Sequence, residues 1–105
     1  MQKSSETQDS EPKQFFEHKN GLKTAFDMVR PKEGLSDVIL VYFHGNQLSC
    51  RDRKAKFALA KALEYQISGV AIDNFGDGDS SGVRGEISPL DWKNQAREFI
   101  LDFLE

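Results

Sequence analysis

Only one cysteine, Cys50, occurs in the chain, which rules out an internal disulfide framework and a zinc site built from thiols alone. That usage suits a reducing compartment. Long apolar runs are missing too. The longest, Val38 to Phe43, falls far short of the ~20 residues that a membrane-spanning helix needs. Peripheral attachment to a membrane stays open. Residues 1–13 are rich in Gln, Ser, Glu and Lys and hold no apolar stretch of the kind a secretory signal requires. They read as a disordered, solvated tail that cannot repay its ordering entropy, and a cytoplasmic location is expected. A basic excess is absent as well: 14 Lys and Arg stand against 17 Asp and Glu, for a net charge of -3. The cations are scattered, so no stripe offers itself to nucleic acid. No internal repeat is visible, and 105 residues fit one domain, expected over residues 14–105.

What is present begins near Gln14. Residues Phe15 to Lys19 and Leu22 to Arg30 flank Asn20-Gly21, a pair that accepts positive φ at both positions and signals a hairpin. In the second run Leu22, Thr24, Phe26 and Met28 share a face, with Lys23 and Asp27 on the other. This predicts a strand with one face buried. Pro31 ends it. The run Val38 to Phe43 is β-branched and apolar throughout, as in a parallel strand covered on both sides. A helix follows, with Ser49 and Asp52 as its capping residues and Ala55, Ala58, Leu59, Ala62 and Leu63 as its apolar stripe. Gly69 breaks that pattern before a short buried strand, Val70-Ala71-Ile72. Ser88-Pro89-Leu90-Asp91 opens a second helix, whose stripe is Trp92, Ala96, Phe99 and Phe103 with Ile100 and Leu104 alongside. Hairpin, strand, helix, strand, helix predicts an α/β sheet.

Several residues invite functional readings that the pattern does not sustain. The two histidines, His18 and His44, have no cysteine at metal spacing, so no metal and no cofactor is expected. Asp77-Gly78-Asp79-Ser80-Ser81-Gly82 imitates the start of a calcium loop, but its twelfth position is Ser88 instead of Glu, and a strand precedes it. A plain turn is the reading. Cys50 lacks a histidine placed to activate it and reads as a small helix-start residue. Arg51, Arg53, Lys54 and Lys56 share their helix with Asp52 and Glu64 and read as a solvated face. The Trp92, Phe99 and Phe103 stripe reads as packing on the sheet.

Two motifs stand at strand ends, where open α/β sheets place their sites. They are Phe43-His44-Gly45-Asn46 and Asp73-Asn74-Phe75-Gly76-Asp77-Gly78-Asp79-Ser80. Together, and about 30 residues apart behind a hairpin, they resemble the α/β-hydrolase superfamily over roughly residues 14–105. The esterase/lipase, serine-aminopeptidase-like branch is the nearest in pattern. The resemblance implies the N-terminal part of an α/β-hydrolase fold: an antiparallel hairpin, then parallel strands with crossover helices. It implies an oxyanion loop at His44, Gly45 and Asn46, in which Asn46 supplies a backbone N–H, Gly45 permits close approach and His44 braces the turn. It makes Asp73, Gly76, Gly78 and Ser80 a structural turn after the fourth strand. Many relatives carry Arg where this chain has Phe75.

The family nucleophile sits in Gly-x-Ser-x-Gly, and no such sequence occurs here. The resemblance therefore implies a partial serine hydrolase of lipid or small carboxylic esters, with no catalytic residue of its own and inactive alone. The alternative is a non-catalytic short form or degenerate relative that binds a partner. Without the fifth strand, Val38 to Phe43 would present an open edge suited to self-association.

Overall fold

The opening hairpin turns on Gly21. The computed structural model describes residues 12–32, 38–45 and 49–104. Strands β1 (Gln14–Glu17) and β2 (Lys23–Val29) pair antiparallel, with Phe16 opposite Thr24 and Glu17 opposite Lys23. Gly21 N donates to His18 O at 2.9 Å, and His18 N donates to Leu22 O at 2.7 Å. Left-handed backbone falls on Gly21 alone, at φ +89°, and not on Asn20 as the sequence suggests. Asn20 uses its side chain instead, accepting from Leu22 N at 3.0 Å. The loop is therefore three residues ending in one left-handed glycine, the next most common hairpin solution. Lys13 is held by Asp73 at 2.7 Å and Asp79 at 3.2 Å, so an ion pair ties down the residue before β1.

Strands β3 (Ile39–Phe43) and β4 (Ser68–Ile72) run parallel, and β4 pairs antiparallel with β2. The order is β1-β2-β4-β3, a mixed four-stranded sheet with β3 at one edge among the described residues. That position explains why β3, apolar enough for a doubly covered strand, is only half-buried, with Phe43 exposed. Strand β2 departs from its pattern in the other direction. Its second face is buried too: Ala25 is fully covered, and Asp27 pairs with Arg51. Arg51 Nε lies 2.5 Å from one Asp27 oxygen and its terminal nitrogen 2.9 Å from the other. This two-point pairing compensates a carboxylate on a face that closes against Cys50 and the helix behind it.

Helix α1 (Arg53–Glu64) lies on that face, with Ala55, Leu59 and Ala62 buried. Its cap is Asp52, whose side chain accepts from Ala55 N at 2.7 Å. Ser49, expected to share that work, accepts from Arg51 N one turn early at 3.1 Å. The helix ends at the Tyr65 cap and Gln66, whose φ is +60°, and not at Gly69. Gly69 lies inside β4, where a Cβ would stand 2.9 Å from Ala62 Cβ. Glycine there lets helix and strand close together.

On the opposite face lies helix α2 (Pro89–Glu98), opened by the reciprocal Ser88–Asp91 capping box with Pro89 at its first position. It passes into a π-helical turn, Phe99–Leu104. In such a turn residues i and i+5 come over one another. Leu104 thus joins Phe99 on the core face, against Phe16, Phe26, Val70 and Ile72. Phe16, Phe26, Phe99 and Phe103 meet there with ring centroids 4.9 to 5.7 Å apart, mostly edge-on or tilted, as ring quadrupoles favour.

Candidate functional site

The parallel strands β3 and β4 end side by side, so the two sequence motifs meet. His44 follows β3 and is buried, while Gly45 is exposed. The His44 ring bridges the two turns. Its Nε2 accepts from Asn74 N at 2.9 Å, and its Nδ1 lies 2.5 Å from Gly45 O. A backbone N–H can only donate and a carbonyl can only accept. The ring in this arrangement is therefore the neutral tautomer with its proton on Nδ1. Asn74 Nδ2 adds a longer contact to His44 O at 3.4 Å. Asn46, the third residue of the motif, lies outside the described residues.

Asp73 gathers the surrounding chain. It is fully buried. One carboxylate oxygen accepts from Cys50 N at 2.6 Å, and the other accepts from Asp79 N at 2.9 Å and from Lys13 at 2.7 Å. Burial alone would raise its pKa. The donations from Asp79 N, Lys13 and Cys50 N outweigh burial and hold it below the ordinary carboxylate value. Its main chain is engaged as well, accepting from Ser80 Oγ at 2.7 Å and donating to Ala25 O at 2.8 Å. Ser80 Oγ accepts in turn from Ala25 N at 2.8 Å. Gly76 and Gly78 both have positive φ, +87° and +54°, and each is pressed against a neighbour that leaves no room for a Cβ. Asp77 is paired with the Arg84 guanidinium. Among the described residues no group of three or more His, Cys, Asp or Glu side chains could hold a metal ion. Cys50 is buried, and burial together with the Asp73 carboxylate pushes its thiol pKa far up, against any nucleophilic role.

A second polar chain escapes sequence reasoning. His18 is buried, with Nδ1 2.6 Å from Glu98 and Nε2 2.6 Å from Thr24 Oγ1. Gln95, on the face of α2 where only an apolar stripe is expected, donates to Thr24 Oγ1 and to Asp73 O and accepts from Phe75 N, all at 2.9 Å. Trp92 belongs partly to this set, since its indole N–H donates to Phe75 O at 2.9 Å. Phe75 is buried with its ring edge-on to His18 at 5.1 Å. One signal was available: Gln95 and Glu98 are three apart on a helix, and the hairpin register brings His18 beside Thr24.

No protein-family model matches the sequence, and no curated protein matches it by sequence. Solved structures do match it in shape. Alpha/beta hydrolase domain-containing protein 10 from mouse superposes with a TM-score of 0.76 at 17% identity, over 90% of this chain and 36% of that one. Est1E from Butyrivibrio proteoclasticus, solved with ferulic acid, gives 0.72 at 16% identity over 81% and 34%. The thioesterase domain from the curacin biosynthetic pathway gives 0.63 at 20% identity over 86% and 32%. The chain spans about a third of the length of these proteins. Among the described residues no helix is long and apolar enough to cross a membrane. The likeness is one of fold: the chain has the α/β-hydrolase fold, of which it makes up about a third.

Proposed function

We propose that the chain supplies the oxyanion-loop half of a serine-hydrolase site for carboxylic esters, of lipids or small alcohols, and that the serine, acid and histidine of the triad are not among its residues. The observation that carries this is the His44 bridge at the ends of two parallel strands. The His44 ring holds the Gly45 carbonyl and the Asn74 N–H together, which fixes the turn after β3 where an oxyanion loop would stand. Ester chemistry draws support from like folds, one solved with ferulic acid and another named as a thioesterase domain. The cytoplasmic placement belongs to the same proposal.

A fluorophosphonate probe tests it. This chain should stay unlabelled at concentrations that label a serine hydrolase, because an oxyanion loop has nothing to stabilise without nucleophile and base. A longer form continuing into Gly-x-Ser-x-Gly should react. Stoichiometric labelling of the chain alone would overturn the proposal.

A second reading, a non-catalytic short form or degenerate relative that acts by binding, is favoured by one feature. Strand β3 carries no charge or proline and forms an edge of the described sheet. On this reading the partner is a second copy, paired edge to edge through Ile39–Phe43. Concentration-dependent sedimentation tests it.

A further inference from the structure

Gln95 is 1% exposed, with both amide hydrogens donated and its carbonyl oxygen accepting. Its orientation has no freedom. Phe75 N can only donate and Asp73 O can only accept, so Oε1 must face the first and Nε2 the second. Nε2 then also donates to Thr24 Oγ1, whose hydroxyl proton can in turn go to His18 Nε2, while His18 Nδ1 faces Glu98 at 2.6 Å. One side chain thus grips residues 73 and 75 from opposite sides of Asn74. Asn74 is the residue whose N–H is aimed at His44 Nε2.

We propose that Gln95 is a positioning residue for the His44–Gly45 turn, acting through the backbone of residues 73–75, with its own donors oriented by the Glu98–His18–Thr24 chain. The catalytic meaning of that turn rests on the oxyanion reading above, but the positioning does not. Neighbouring groups in a buried hydrogen-bond network are coupled, so reversing the Gln95 donor changes what Thr24 and His18 offer each other.

The test reads the two imidazoles by long-range proton–nitrogen NMR and the amides by hydrogen exchange, on the 105-residue chain itself. Gln95→Leu releases both ends of the turn. His44 should lose its single tautomer, and exchange at Asn74 should quicken about tenfold or more while Val70, central in the sheet, keeps its protection. Gln95→Glu keeps the volume and the acceptor for Phe75 N but places an acceptor where Nε2 donated. The Thr24 hydroxyl should then turn to the new carboxylate, and His18 should show protons on both nitrogens. A merely space-filling Gln95 would not move that signature. A folded Gln95→Leu with unchanged His44 resonances and Asn74 exchange overturns the proposal. Should Gln95→Leu not fold, an unchanged His18 in Gln95→Glu overturns it. Failure of the oxyanion reading would show in probe labelling of a longer form and would leave these spectra as they are.

Discussion

A Cβ on Gly78 would stand 2.3 Å from the Asp73 carboxylate, at a φ of +54°. Alanine there meets two costs at once: left-handed backbone, and displacement of a buried anion from its donors. Gly78→Ala should therefore destabilise the chain by about 3 kcal/mol in urea unfolding. Gly85→Ala is the control, with no atom within 4 Å of its Cβ and an ordinary φ, and should stay within about 0.5 kcal/mol. Asp73 itself gives the chain an acid limb. Its pKa is lower folded than unfolded, so the unfolded state binds the proton first as pH falls. The stabilisation is complete above about pH 4 and is lost as pH drops through the folded value. Asp73→Asn should be less stable at pH 7, since Lys13 loses its buried partner, and its stability should vary less between about pH 5 and pH 2. An unchanged acid limb in Asp73→Asn would place the titration elsewhere.

At the scale of elements, the two helices show what a sequence can and cannot disclose. The Ser88–Asp91 box with Pro89 is local chemistry, complete within four residues, and reads directly. The start of α1 offers two capping residues three apart, and only the structure assigns the role to Asp52. Asp52→Ala should cost about 1 kcal/mol of stability and Ser49→Ala a few tenths, as measured by equilibrium unfolding. Equal costs would return the cap to Ser49. The strand-end motifs were legible for the same local reason: glycines at positive φ and an aspartate that must find donors leave a spaced pattern. The burial of Asp27 was not. It depends on Arg51, 24 residues away on an element the strand pattern knows nothing of. Nor was the polar chain through His18, whose partner Glu98 lies 80 residues on. Such pairs are set by how helices dock on the sheet, and period or propensity carries no trace of it. Of the site, then, the turns and the His44 brace were visible, and the Gln95 and His18 contacts behind them were not.

For the molecule as a whole, the sheet order places the most apolar strand at an edge among the described residues. Proteins usually blunt such edges with lysine, proline or a bulge, and Ile39–Phe43 has no lysine or proline in it. Two copies paired along five residues would bury well under the ~1,200 Å² of a stable interface, so the association should be weak and reversible. Sedimentation velocity should show the weight-average coefficient rising with concentration, and the melting temperature should rise with it. Phe43→Lys puts a charge at the end of the run, on a side chain 42% exposed, and so disturbs little of the core. Antiparallel pairing would bring that charge into the partner's edge, where no acidic side chain lies within Ile39–Phe43 to receive it. This variant should remain monomeric over the range in which the parent associates, with the same far-ultraviolet circular dichroism. A parent chain that melts sharply and sediments as a monomer at every concentration would rule out the edge as an interface and leave the acyl-site reading as the one to pursue.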